Sequence, residues 1–351
     1  MTSREARPLI ADASADGTPA VVGTIARTAE ERGVSRLTVP ELARDPFVML
    51  AGIAGQTSRL ELATGVAIAF ARTPMTLAYE AWTLSEVSEG RAVIGLGSQV
   101  KPHIERRFAM TWDRPAARMR EFVLATRAIW SAWQDGTRLN FRGDFYQHTL
   151  MPPMFSPPLL PSGPPPLLLA GVGPLMTRTA GAVADGFLTH PFGSPSYLRE
   201  RVLPGALEAR AESEAAGEPW TTRPFEVSAG VLVATGRTDE EIASAIEATK
   251  ARIAFYASTP TYRGVLEHHG WGDLHEELHQ LSVTNGWDKM PALITDEQLH
   301  TYAVVGEPDT VARELIARYG GWADRVTIND TRAESLDVAF DVIAAVADQA
   351  G

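Results

Sequence analysis

The chain's polar and titratable side chains collect just after short apolar runs. Pro40 and Glu41 follow residues 37–39, Thr64, Gly65 and Val66 interrupt 60–68, and Ser98, Gln99, Lys101 and His103 follow 92–97. His190 and Pro191 follow 186–189, and Asn329-Asp330 ends the last run. Imidazole is the side chain best suited to carrying a proton near neutral pH, so His103 is a candidate acid or base. Glu41 can serve as its partner if burial raises its pKa. The turn Ala170-Gly171-Val172-Gly173-Pro174, with Met176 beyond it, leads from an apolar run into a helical pattern. Two readings of it stay open. Glycines let backbone amides at a helix start hold a phosphate without a lysine, or they supply the positive φ of a tight strand-to-helix turn. Neither this turn nor the Gly95–Gly97 segment has the third glycine of a GxGxxG dinucleotide site. A different pattern, His275-Glu276-Glu277-Leu278-His279, matches the HExxH spacing of zinc peptidases, with Glu297 the nearest further ligand. It lies away from any strand end and reads better as a solvated acidic helix face than as a metal centre.

These residues need elements to carry them. Strand-like runs at 9–13, 37–39, 60–68, 92–97, 167–170, 186–189, 225–235 and 325–328 alternate with helical patterns. The helices fall at 20–32, 46–55, 74–89, 115–133, 174–183, 197–215, 238–256, 308–319 and 334–347, with Asp45-Pro46 and Thr73-Pro74 as caps. A hairpin at 138–148 and a proline-rich stretch at 151–166 lie in the middle, and 257–293 reads as an irregular insertion. Runs such as AVIGLG and LLLA suit a parallel sheet buried on both faces. Eight strand–helix units without a linker favour a closed barrel over an open doubly wound sheet.

Composition removes several alternatives. The 351 residues are 45% hydrophobic and 21% charged, enough apolar material for a sizeable core. The net charge of −11 disfavours nucleic acid and anionic membrane as partners. With no cysteine there is no disulfide, thiolate metal site or cysteine nucleophile. No apolar run approaches the roughly 20 residues of a spanning helix, and the N-terminus lacks a signal-peptide core. A cytoplasmic protein acting on a small molecule is expected.

Four segments in fixed order, 45–82, 88–108, 167–192 and 303–321, make the chain similar to the bacterial luciferase-like monooxygenase superfamily, and within it to F420-dependent oxidoreductases. The resemblance implies a single α/β domain over 1–351, a (β/α)8 TIM barrel with insertions, and a flavin or deazaflavin across the barrel mouth. It implies a non-prolyl cis peptide at Gly65–Val66, with Thr64 beside it, against the cofactor ring. Gly171, Val172 and Gly173 correspond to the phosphate loop, with Ala170 and Met176 beside them as cofactor contacts. Ser98, Gln99, Lys101 and His190 fall among the cofactor contacts, with His103 and Glu41 catalytic. F420 is expected rather than FMN, with Lys101, Arg106 and Arg107 meeting its acidic tail. The alternatives are an FMN-dependent monooxygenase and a cofactor-binding protein without turnover. Residues 257–293 and 151–166 are expected to cover the mouth, their aromatics shaping an apolar substrate pocket; the alternative is that they pack a homodimer interface. The chain departs from the family pattern in a poor first strand and in the apolar Leu42 and Ala43 after Glu41.

Overall fold

Several helices begin where a short polar side chain precedes a proline or an acidic first turn. Asp45 accepts a hydrogen bond from the Val48 amide at 3.0 Å, and Thr73 one from the Thr76 amide at 3.1 Å. The computed structural model describes residues 7–329 and 336–350. Its first half runs β1 (Ile10–Ser14), α1 (Pro19–Glu31), β2 (Arg36–Val39), α2 (Pro46–Ala54), β3 (Glu61–Ile68) and α3 (Pro74–Val87). β4 (Ala92–Gly97), α4 (Lys101–Arg106), α5 (Pro115–Gln134) and the hairpin β5 (Phe141–Arg142) and β6 (Gln147–His148) follow. Next come β7 (Leu167–Ala170), α6 (Pro174–Val183), β8 (Gly186–Thr189) and α7 (Pro195–Tyr197), which continues through a π turn into α8 (Leu203–Ala215). β9 (Glu226–Thr235), α9 (Asp239–Ala257), α10 (Arg263–His268), α11 (Gly272–Val283) and α12 (Asp296–Tyr302) precede the end of the chain. That end is β10 (Ala303–Gly306), α13 (Pro308–Tyr319), β11 (Arg325–Asn329) and α14 (Leu336–Ala350).

Parallel pairing in the order β1–β2–β3–β4–β7–β8–β9–β11, with β11 returning to β1, closes a (β/α)8 barrel. The expected fold is therefore the observed one. A ninth strand, β10, was not expected. It pairs only with the far end of β9, from Ala303 opposite Leu232 to Gly306 opposite Thr235.

Strand alternation sorts the side chains. Residues such as Leu37, Leu96, Phe187 and Val326 face the helices and join the main core. Ala63, Val93 and Leu168, with Leu188 against them, fill the barrel interior. The N-terminal end of the barrel is closed by charge instead. Asp12, fully buried, accepts from Arg325 Nε at 2.6 Å and Nη2 at 2.7 Å. Arg36, the first residue of β2, donates to Glu226 at 2.6 Å and Glu61 at 2.8 Å, which open β9 and β3. Such a network is costly to bury and is tolerated because every charge is paired and hydrogen-bonded.

Two expectations about loops are corrected. Residues 257–293 are not irregular: α10 and α11, with short 3-10 turns at Pro260–Tyr262 and Pro291–Leu293, occupy most of them and pack a second apolar core around Leu266, Leu278 and Tyr302. The 151–166 stretch lies against the outer helices. Trp133 Nε1 reaches Met151 Sδ, Tyr79 donates to the Phe155 carbonyl at 2.6 Å, and Trp82 to that of Pro158 at 3.1 Å. α3 and α5 present these aromatics outward, so the proline-rich segment is strapped to the barrel's side.

Candidate active site

The C-terminal ends of the barrel strands form a mouth floored largely by backbone. At β3 the ladder to β4 slips between Thr64 and Ala67, and the Gly65–Val66 peptide is cis, at the bond where the resemblance placed it. Thr64 lies 1% exposed and its hydroxyl donates to the Gly95 carbonyl at 2.7 Å, clamping the bulge to β4. A Cβ on Gly65 would stand 1.9 Å from Thr38 Cγ2, so only glycine fits beside β2. Gly65 and Val66 are half-buried, leaving a face of the bulge open to the mouth.

Glu41 is anchored rather than free. Its Oε2 accepts the Ile68 amide at 2.8 Å and Arg72 Nη1 at 2.6 Å, and its own amide donates to the Val66 carbonyl at 3.3 Å. Arg72 also contacts Asp45 and Glu80, so one guanidinium serves three carboxylates. These residues, with Phe108 and Met110, line a cleft of 400 Å³. Burial, offset in part by Arg72, pushes the Glu80 carboxyl up to about 6. Ser98 and Gln99 make only neighbouring backbone bonds, Gln99 with a positive φ of 60°. Lys101 and His103 start α4 with exposed side chains; Lys101 stands 3.9 Å from Glu105. His103 and Glu41 are not hydrogen-bonded to each other. Arg107 ties the end of α4 to the Leu42 carbonyl at 2.8 Å.

The Gly171–Gly173 turn resolves one of its two readings. Neither glycine has positive φ, and Gly173, the N-cap of α6, has φ −84°. A Cβ on Gly173 would meet no protein atom within 4 Å. Neither backbone geometry nor packing demands glycine there, and the exposed turn leaves open space in front of the helix start, where the first amides lack intrahelical partners. A Cβ on Gly171, by contrast, would stand 3.2 Å from Met176 Cγ and the Thr177 nitrogen. The residues fit a phosphate. Val172, Pro174 and Thr177 also border a cleft of 410 Å³ shared with Tyr197, Arg201 and His268. Ala170 and Met176 flank the turn, both half-buried.

His190 lies just past the C-terminal end of β8, two residues after the interior-facing Leu188. Its Nδ1 accepts the Phe192 amide at 3.2 Å. Its ring stacks on Tyr262 at 4.4 Å and meets Tyr256 edge-on at 4.7 Å. Burial, with a further push from Arg252, lowers its pKa to about 3. Asn329 ends β11, and Asp330 lies outside the described residues.

The HExxH histidines have a different task. His275 Nδ1 bonds the Ala257 carbonyl at 2.7 Å and His279 Nδ1 that of Ser258 at 3.0 Å, so α11 caps the C-terminal end of α9. Among the described residues no three His, Asp or Glu side chains are grouped to hold a metal. Sequence reasoning missed Arg72 and Glu80, whose partners lie up to 31 positions away in the chain, and Arg201, which follows no strand. The signal for the first two was faint: an arginine next to a Thr-Pro helix start, with three carboxylates nearby.

Comparison with known proteins agrees with this geometry. The model of the luciferase-like monooxygenase family matches residues 7–325. An uncharacterized protein of Mycobacterium tuberculosis is 50% identical over 321 residues, 92% of this chain and 93% of the relative. The coenzyme F420 dependent tetrahydromethanopterin reductase of Methanopyrus kandleri superimposes with a TM-score of 0.77 at 19% identity, covering 97% of this chain and 98% of that one. The EDTA monooxygenase of Chelativorans sp. BNC1 gives 0.74 at 18% identity, covering 98% and 94%. A barrel mouth with a bulged strand and a glycine turn at the start of α6 thus comes with a family match over nearly the whole chain, and the protein belongs to the luciferase-like monooxygenase family.

Proposed function

We propose that the protein is an F420-dependent oxidoreductase acting on a small, partly apolar carbonyl, alcohol or activated alkene. The observation that carries this reading is the cradle at Gly173, where glycine is required by neither φ nor packing and the space suits a cofactor phosphate. The backbone floor at Thr64, Gly65 and Val66 suits a flat ring, with Ser98, Gln99, Ala170, Gly171, Val172, Met176 and His190 around it. An F420-named reductase among the structural relatives supports the deazaflavin. So do the exposed cations Lys101, Arg106 and Arg107 and the exposed Arg201 on the cleft beside Val172, which can meet an acidic tail.

When bound, a deazaflavin supplies or accepts hydride. The chain's own part is to orient substrate over the β3 bulge, exclude water and manage one proton. His103, exposed at the mouth-side start of α4, carries that proton, and Glu41 holds β2, β3 and Arg72 in place around it. Two copies are expected to pair, and the exposed apolar Leu150, Met154, Phe155 and Leu159 on the outer strap support this. The FMN-dependent monooxygenase is the second reading, favoured by the monooxygenase among the same relatives. Titrating apoprotein with F420 and with FMN tests the choice. Micromolar F420 binding is expected, and FMN binding alone would overturn it.

A further inference from the structure

We propose that His190 is a neutral hydrogen-bond donor of the barrel mouth, presenting its Nε2–H to a carbonyl oxygen of the bound ligand. This rests on the mouth being the ligand site, but the tautomer and its neutrality rest on the protein alone.

Three observations converge on it. The Phe192 amide donates to Nδ1 at 3.2 Å, so Nδ1 is an acceptor and the imidazole proton is fixed on Nε2. Tyr262 covers one face of the ring at 4.4 Å and Tyr256 abuts it at 4.7 Å, which favours this ring orientation. Among the described residues no protein group accepts from Nε2, and the half-buried ring leaves that nitrogen available to a ligand. Placement then supplies the direction. Leu188 packs in the barrel interior with Ala63, Val93 and Leu168, and two residues on, at the C-terminal end of the strand, the alternation of β8 carries His190 toward the mouth above them.

The surroundings hold the ring neutral. The groups against it are Tyr256 and Arg252 from α9, Tyr262 from the turn before α10, and Phe192 from its own loop. No carboxylate is among them, and both burial and Arg252 oppose a second proton. A group that stays neutral across physiological pH does not shuttle protons. It offers a fixed N–H, which repels ammonium and other pure donors and complements an oxygen lone pair. The shared chemistry is a carbonyl oxygen, and its source is either the cofactor ring or the substrate.

Histidine-selective ¹H–¹⁵N spectra of the apoprotein, with His190→Phe identifying the signal, test the tautomer without any ligand. The Nε2–H form is expected unchanged from pH 5 to 9; an Nδ1–H form, or titration between pH 5 and 8, overturns the proposal. His190→Phe and His190→Gln then identify the acceptor, since glutamine returns an N–H donor. A ring carbonyl predicts that the phenylalanine variant binds F420 at least about tenfold more weakly, about 1.4 kcal/mol, with recovery in the glutamine variant. A substrate carbonyl predicts the same loss in kcat/KM with F420 affinity intact. Full affinity and full kcat/KM in a folded His190→Phe overturn the proposal. Failure of the wild type to bind F420 while binding FMN refutes the F420 reading alone, and the same two variants are then compared on FMN.

Discussion

Glu41 Oε2 and Arg72 Nη1 meet at 2.6 Å just past the ends of β2 and β3, and the same carboxylate oxygen takes the Ile68 amide at 2.8 Å. One side chain thus joins two strand ends and the turn leading into α3. A carboxylate so engaged acts first on shape: it fixes where the Gly65–Val66 bulge sits relative to β2. Glu41→Ala leaves the Ile68 amide and part of Arg72 without an acceptor, a loss of about 2 kcal/mol for hydrogen bonds to a charged group. Urea unfolding should show that loss together with weaker cofactor binding. A fall in kcat at unchanged stability and affinity would instead mean that Glu41 handles the proton itself.

The cradle at Gly173 gives two effects of opposite sign in one variant. An aspartate at this N-cap bonds the first-turn amides and faces the positive end of α6, so Gly173→Asp should keep or raise stability by up to about 1 kcal/mol. Its side chain enters space that no protein atom occupies within 4 Å. The same negative charge repels a phosphate, and cofactor affinity should fall at least about tenfold. Thermal unfolding and cofactor titration of one sample check both. Unchanged affinity would remove the phosphate from this turn.

What the chain disclosed in advance follows the range of the forces involved. AVIGLG announces a doubly buried strand because burial on both faces needs no polar alternation, and Asp45-Pro46 announces a helix because the cap acts over three residues. The Gly171–Gly173 turn was legible as a strand-to-helix turn, while the exclusion of positive φ at its glycines needed its torsion angles. The charged barrel base was invisible: Asp12 and Arg325 are 313 positions apart, and neither has a local pattern that names the other. β10 was missed because four apolar residues beside a helix start carry too little period to separate strand from helix. α10 and α11 are short, and the intervening Gly270 and Trp271, with aromatic and histidine side chains on both faces, mask their periodicity.

The HExxH segment has a structural job with its own test. His275 is buried and satisfies the Ala257 carbonyl at the end of α9. His275→Ala should cost about 1–3 kcal/mol by leaving that acceptor unpaired, and His279→Ala less, since its bond to Ser258 lies nearer solvent. Dialysis against a chelator should leave the melting temperature unchanged. A chelator-induced drop, reversed by zinc, would make these histidines ligands.

Glu80 gives the fold a pH dependence of predictable sign. Its carboxyl is pushed by burial from an ordinary 4.5 to about 6, although Arg72 opposes the shift, while Asp45 and Glu41 add to it. The folded protein therefore holds a proton between those values that the unfolded chain has released, and stability falls as pH rises from about 4.5 through 6. Above that window the ionised side chain, 26% exposed, costs about 2 kcal/mol relative to its protonated form, from 1.36 kcal/mol per unit. Glu80→Gln mimics the protonated state at every pH. Its stability should equal the wild type near pH 4.5, exceed it by about 1–2 kcal/mol at pH 7, and lack the decline between. Denaturant unfolding at a series of pH values measures the difference curve. A variant less stable than wild type at pH 7 would mean that attraction to Arg72 outweighs the burial of the charge.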